Sequence, residues 1–403
     1  MKSKLLFPFF IAFASLFFAS CDDEEPTSPI LGTPATYTFE RNGTSTVSFD
    51  GQTTRIEMAT ELTKGMLDFG NTKTDLLNMF RNENSPFPDA DLNTSSKSVK
   101  SKIAASEDYF SANTVAKTAI QADFETWISN QADDVFLNED SLAMPGKAGQ
   151  LADGGSTRYV SAKGLEYNQA VAKGIIGGLM VDQILNNYLS TSVLDLGTNI
   201  ADNDAGTVVD GKSYTSMEHK WDESFGYAYG KAKDITNPDF GDDAFLLKYI
   251  GRAEGDEDFK GIADAILNAF IVGRKAIVDN NYVLRDAQAE ILRKKISEII
   301  GIRAVYYLKQ GAKALPDNRA SYSLYGPAFH DLSEGYGFIY SLQFTRKPNS
   351  SEPYFTKTEV DAMISDLMGD GTNGLWDAET ATLDAMATKI AAKFDFTVEQ
   401  AAE

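Results

Sequence analysis

A block of eleven residues that occurs twice sets the strongest limit on how this chain can fold. The 403-residue sequence has two histidines, His219 and His330, and each opens the same pattern. Glutamate follows at +4 (Glu223, Glu334), an aromatic at +6 (Phe225, Tyr336) and glycine at +7 (Gly226, Gly337). A second aromatic stands at +8 (Tyr227, Phe338) and tyrosine at +10 (Tyr229, Tyr340). Spacings of four and seven put His, Glu and Gly on one face of a helix. Each block also comes after an apolar run with a similar ending, "QILNNYLS" at 183–190 and "AVYYLKQG" at 304–311. A unit repeated in this way is the mark of an internal duplication. Two pseudo-equivalent helical halves are therefore expected, near 53–240 and 241–396.

The remaining periodicity agrees with a mainly α chain built as a duplicated helical bundle with a small N-terminal β-hairpin. Helices are expected at about 54–69, 73–82, 97–105, 113–133, 162–190, 215–230, 259–279, 285–310, 321–344, 357–368 and 377–394. In "GIADAILNAFIVGRKAIV", Ile262, Ile266, Phe270 and Ile277 form one apolar stripe, whereas "KGIIGGLMVDQILNNYL" (173–189) is apolar nearly all round, as in a helix enclosed by others. Residues 36–49 alternate around Asn42-Gly43, a hairpin signal, and Asp50-Gly51 reads as a second turn closing the element at 36–52. Thr54 and Glu57 have capping-box spacing, so the first helix is expected to start there. The stretches 134–160 and 190–214, rich in Gly, Asp, Asn and Ser, read as long loops, either mobile or functional. "DADLN", "DNDAG" and "DGTNGLWD" space their side-chain oxygens loosely like calcium loops, but lack the acid twelve positions on and read as turns.

The repeated block admits two chemistries. Thr215 and Glu218 have capping-box spacing, which gives Glu218 a structural task. On the helix that follows, His219 and Glu223 face the same way with Asp222 beside them; His330 and Glu334 repeat the pair. A histidine with a carboxylate one turn on is a bidentate metal handle. Two such helices face to face would form a His2Glu2 centre for a divalent metal such as iron or zinc, with Asp222 or Asp331 in reserve. The same pairs equally read as helix-orienting hydrogen bonds, with the glycines allowing close approach. No catalytic residue is assigned. The chain lacks G-x-S-x-G, HExxH and G-x-x-x-x-G-K-[ST] motifs, and its single cysteine, Cys21, rules out a Cys-His nucleophile elsewhere.

The N-terminus carries an address. Lys2 and Lys4 precede "LLFPFFIAFASLFFAS", an apolar run too short and poorly flanked for a stable membrane helix, and Ala19-Ser20-Cys21 resembles a bacterial lipobox. Residues 1–20 are thus expected to be a signal peptide, and Cys21 the lipidated mature N-terminus, which accounts for a lone cysteine in an exported chain. The acids behind it, "DDEE", resemble a signal for export to the outer face of a Gram-negative outer membrane; residues 21–35 read as an acidic, Pro/Ser/Thr tether. The membrane is then a partner through the anchor only. With Lys2 and Lys4 removed, 35 basic residues face 58 acidic ones, which takes the formal charge from −21 to about −23. So acidic a body repels phosphate backbones and excludes nucleic acid as a partner. A small ligand or a surface protein remains. With 43% hydrophobic residues, the rest of the chain can bury a large core.

"SAKGLEYNQAVAKGIIGGLMVDQILNNYL" (161–189), "DGKSYTSMEHKWDESFGYAYG" (210–230) and "GQTTRIEMATEL" (51–62) resemble an uncharacterised family of bacterial surface lipoproteins, a domain of unknown function. Its most specific part is the E-H-x-W-D-E-x-F-G-Y block. A more distant likeness is to the imelysin-like proteins, exported duplicated helical bundles associated with iron uptake and once proposed as metallopeptidases. Their G-x-H-x-x-E hallmark is altered: Met217 and Ala328 replace the glycine, and Glu223 and Glu334 stand at +4. Asp222 occupies +3 in the first copy and Ser333 in the second, so the likeness implies architecture and no ligand set. The resulting expectation is a ligand- or metal-binding lipoprotein of nutrient uptake. Its alternatives are a metal-dependent hydrolase using the His/Glu pairs and a purely structural or partner-binding lipoprotein.

Overall fold

Asn42 and Gly43 both adopt positive φ, 54° and 75°, the geometry that reverses a two-residue hairpin without splaying its strands. They join β1 (Glu40–Arg41) to antiparallel β2 (Thr44–Ser45), Glu40 opposite Ser45. The computed structural model describes residues 32–369 and 372–403. The signal segment 1–20, Cys21 and most of the tether lie outside the described residues.

Helix α1 (Asp50–Gly65) starts earlier than its capping-box spacing suggests. Asp50-Gly51 form its first turn rather than a second reversal. Thr54 is interior, its hydroxyl donating to the Asp50 carbonyl at 2.9 Å. Tertiary packing sets this boundary, because Phe49 and Gln52 seat against Gly226, where a Cβ would meet the Phe49 Cβ at 2.4 Å. Next come α2 (Lys73–Arg81) and α3 (Thr114–Asn130), the latter extended by a π turn at Gln131–Val135. The helix expected at 97–105 shrinks to a 3-10 turn at Lys100–Lys102.

The stretch 134–160 is not a plain loop. It holds a second hairpin, β3 (Gly149–Asp153) and β4 (Ser156–Val160), with Gly149 opposite Val160 and Gly154-Gly155 at its tip. Helix α4 (Tyr167–Ile175) continues through π turns at Ile176–Val181 and Ile184–Tyr188; from Gly174 to Ser190 every residue is buried, as the all-round apolar pattern implies. Short helical turns at Thr191–Leu194 and Asn199–Asp204 punctuate the second expected loop. Helix α5 (Ser216–Tyr229) carries the first block. After α6 (Leu246–Glu254), which periodicity did not reveal, come α7 (Ile262–Val278) and the long α8 (Tyr282–Ala314). Helix α9 (Gly326–Ser341) carries the second block, and α10 (Lys357–Met368), α11 (Thr380–Ala391) and a short helical turn at Val398–Ala401 follow. Among the described residues no helix is long and apolar enough to cross a membrane.

The halves expected at 53–240 and 241–396 are not separate bodies. Residues 34–403 form one compact unit, because elements of each half pack inside the other. The second-block helix α9 lies between α8 and α4; the first-block helix α5 lies against α1, α7 and the π turn before it. Trp221 on α5 is fully buried, donates its indole N–H to the Phe270 carbonyl of α7 at 3.0 Å, and faces Gly273, where any Cβ would fall 2.0 Å from the indole.

Candidate functional site

The two blocks build similar local structures. In each, the +7 glycine receives another helix: Gly226 receives α1, and Gly337 receives α4, where a Cβ would lie 2.4 Å from the Lys173 Cβ. In each, the +8 aromatic stacks on a tyrosine from the preceding apolar run, Tyr227 on Tyr188 (centroids 6.2 Å apart) and Phe338 on Tyr307 (5.7 Å). In each, the histidine and the +3 residue hold the lead-in to the received helix. His219 Nδ1 bonds the Ser48 carbonyl at 3.0 Å and Asp222 accepts the Ser48 N–H at 3.2 Å, just before α1. His330 Nδ1 bonds the Glu166 carboxylate at 3.1 Å and Ser333 accepts the Glu166 N–H at 2.9 Å, just before α4. Asp222 and Ser333 are therefore equivalents, a relation invisible when both are tested only as metal ligands. Each block is a socket for the start of a neighbouring helix, whose unpaired amides need acceptors.

The +4 glutamates are likewise committed. Glu223 accepts from Gln52 at 3.1 Å and from Lys220 at 2.7 Å. Glu334 pairs with the buried Lys173 at 3.2 Å and accepts the Tyr249 hydroxyl at 3.4 Å. Although burial raises a carboxyl's pKa, Lys173 and His330 draw Glu334 down to about 2. His330 Nε2 stands 3.7 Å from Glu334, whereas His219 stacks on Tyr214 with its ring centroid 4.5 Å away. The two histidines consequently diverge. Burial lowers the pKa of His219; in His330 the hydrogen bond and charge of Glu166 outweigh burial and raise it.

The first block has an additional charged core. Thr215 caps α5 as expected: its hydroxyl accepts the Glu218 N–H, and Glu218 accepts the Thr215 N–H at 2.7 Å. Glu218 also accepts two bonds from Arg41 (3.0 and 3.1 Å) and one from Arg274 on α7 at 3.1 Å. Arg274, fully buried, reaches Asp222 at 2.9 Å, and the Tyr37 hydroxyl donates to the same Asp222 oxygen at 2.6 Å. Burial nevertheless pushes Asp222 up to about 6, against the pull of Arg274.

His219, Asp222, Glu223, His330 and Glu334 were the expected metal ligands. The structure does not bring them together: among the described residues no group of three or more His, Cys, Asp or Glu is placed to hold a metal ion. The first set faces Ser48, Gln52, Tyr37 and Arg274, the second Glu166 and Lys173. Physically, the cations and amide donors of packed neighbours occupy the lone pairs a metal would need. Sequence reading missed Arg274, Glu166, Lys173 and Gln52; the one available signal was Lys173, a lone cation opening an apolar run.

A large cavity lies elsewhere. It measures about 750 Å3 and lies between α1 and α6, lined by Thr60, Lys231, Phe240, Asp243, Lys248 and Arg252 among others. A smaller one of about 350 Å3 adjoins it, sharing Thr60 and Lys231. Within the larger, Lys231 pairs with Glu57 at 2.9 Å, Asp242 with Lys233, and Asp243 accepts the Phe245 N–H at 2.9 Å just before α6.

No curated protein and no solved structure gives a significant match. Residues 34–397, the whole helical body with its N-terminal hairpin, match the family described as a domain of unknown function, DUF4856. The span covers both sockets and the cavity, so the chain belongs to the DUF4856 family.

Proposed function

We propose that this chain is an exported lipoprotein, acylated at Cys21 and displayed on the outer membrane surface of a Gram-negative bacterium, whose helical body binds a ligand in nutrient uptake without performing chemistry. The anchor reading rests on the basic start, the apolar run and Ala19-Ser20-Cys21. The observation that carries the binding reading is the distribution of committed groups. His219, Asp222, Glu223, His330 and Glu334 are each engaged by a neighbouring side chain or backbone, whereas Lys248 and Arg252 in the large cavity have no hydrogen-bond or ion-pair partner among the described residues. A cavity of this size is typical of small-molecule sites.

The test is twofold. Cells fed an alkyne-palmitate should label the wild-type chain and not Cys21→Ser, and protease added to intact cells should degrade the wild type. An unlabelled wild type would overturn the anchor; full protection would overturn surface display. The metal reading keeps one supporting observation, Glu166 and Glu334 at the two ring nitrogens of His330. The Lys173 ammonium on Glu334 opposes it, because a cation already neutralises that carboxylate. Elemental analysis of protein purified without chelator should find iron and zinc well below one per chain. A stoichiometric metal lost in His330→Ala would reinstate a metal-binding role and reopen the metal-dependent hydrolase.

A further inference from the structure

In a chain with a formal charge of −21, many exposed cations pair with a carboxylate, as Lys64, Lys73, Lys260 and Lys357 do. The cavity between α1 and α6 departs from this. Lys248 and Arg252, one turn apart on α6, both line it, and among the described residues neither forms a hydrogen bond or ion pair; the one contact of Lys248 is with the Tyr249 ring, 5.6 Å from the centroid. The acids of the same wall are already used, Asp242 by Lys233 and Asp243 by the Phe245 amide that leads into α6. Behind Lys248 stand further cations. Lys173 and Arg303 both bear on it electrostatically, and burial together with Lys173 lowers its pKa even though Glu334 opposes the shift. Arg303 is itself buried, with its guanidinium 3.9 Å from the Tyr306 centroid and its Nε without a hydrogen-bond partner. Phe240 supplies an apolar wall, folded over Gly251, whose Cβ would meet the Phe240 Cβ at 2.4 Å.

We propose that this cavity is an anion-binding site, in which Lys248 and Arg252 receive the carboxylate, sulfate or phosphate group of a small organic ligand whose body rests on Phe240. Positive potential focused in a cleft of low-dielectric walls concentrates anions, here against the field of an acidic body that repels them elsewhere. A planar guanidinium and a point-charge ammonium one helical turn apart suit a group with several oxygens. The cavity volume exceeds what a bare inorganic anion fills, so an organic acid or an acidic sugar is favoured over free phosphate. This rests on the reading of the chain as a binding protein and is independent of its anchor.

Calorimetric titration of the full-length chain in detergent, with inorganic phosphate, sulfate, citrate and glucuronate as separate probes, tests it. Saturable binding of at least one organic anion is expected, weakened by salt, and reduced at least about tenfold in Lys248→Gln/Arg252→Gln. Both substituted side chains lie outside the packed core, and Lys248→Arg should retain binding if charge is what matters. Lys313→Gln, an exposed cation on α8, should leave it unchanged. Tighter binding of inorganic phosphate than of either organic probe would refute the organic-ligand assignment. No saturable heat at about 10 mM of any probe, or equal losses in Lys313→Gln, would overturn the site itself while leaving palmitate labelling of Cys21 as found.

Discussion

Replacing Arg274 with methionine should destabilise the protein by an amount that depends on pH in a calculable way. Arg274 makes three hydrogen bonds in a fully buried setting, to Asp222, Glu218 and Thr46. Methionine has a comparable length, so packing is largely kept. Glu218 retains Arg41 and the Thr215 amide. Asp222 retains hydrogen bonds but loses its one cation. Its pKa of about 6, raised from 3.8, means that the folded state holds the proton more tightly than the unfolded chain. Stability from this group is therefore full below 3.8 and lost as pH rises through 6, about 3 kcal/mol in all at 1.36 kcal/mol per unit. Without Arg274 the pKa climbs further, and the loss continues to higher pH. At about pH 8 the added loss cannot exceed about 2.7 kcal/mol, since protonating Asp222 is then the cheaper course. The bonds to Glu218 and Thr46 add about 1 kcal/mol each. The expected penalty is about 3–5 kcal/mol at about pH 8, in the range for breaking a buried ion pair, and about 2 kcal/mol at about pH 6. Urea titrations followed by tryptophan fluorescence at both pH values measure it. A penalty that is constant, or that grows toward acid, would refute the assignment of the loss to Asp222.

With two histidines in the chain, an imidazole NMR titration should give two resonances, His219 titrating below 6.5 and His330 above it; the reverse order would contradict the two environments. His330→Gln should cost about 1.5–3 kcal/mol below about pH 6, where the protonated ring is bonded to Glu166, and progressively less as pH rises through the raised pKa, read from thermal melts across that range. Gly226→Val and Gly337→Val should each lower stability by about 1–3 kcal/mol or more, because the first side-chain carbon already collides at 2.4 Å; neutral behaviour in chemical denaturation would mean that the sockets are looser than described. Fragments 34–240 and 241–403 expressed singly should show no cooperative unfolding and should recover it on mixing; a cooperative transition in either alone would contradict the interleaved packing.

The helices legible in the sequence were those with a wide apolar stripe or a real cap. Thr215 and Glu218 mark the start of α5 to the residue, and Asn42-Gly43 marks the hairpin. Thr54 and Glu57 have the same cap spacing as Thr215 and Glu218, yet fall inside α1, since Phe49 and Gln52 are drawn into the socket at Gly226 and start the helix four residues sooner. The second hairpin escaped because Gly154-Gly155 and the polar residues around it match loop composition, and its strands face only partly into the core. Of the site, the repeat made His, Glu and Gly visible, but not what they touch. The hydrogen-bond partners of these histidines and glutamates come from up to 171 residues away in sequence, and no local period encodes such a contact.

The partners reveal why a chain with two such blocks folds as one unit. The first block's acids, Glu218 and Asp222, take their buried cation from α7, in the second half. The second block's Glu334 takes its buried cation, Lys173, from α4 in the first half, and His330 takes its carboxylate, Glu166, from the same lead-in. Each half thus contains buried charges whose counter-charges lie in the other. A buried carboxylate without its cation is destabilising by several kcal/mol, so neither half is a stable state by itself. The shape of the socket is common to both copies, while its electrostatics differ: an Arg-linked Asp222 in one, a neutral Ser333 with a hydrogen-bonded His330–Glu166 pair in the other. Equal shape with unequal charge fits a repeat that serves assembly of the bundle, while the proposed ligand site lies on the unrepeated wall, where Phe240, Lys248 and Arg252 of the linker and α6 face the cavity.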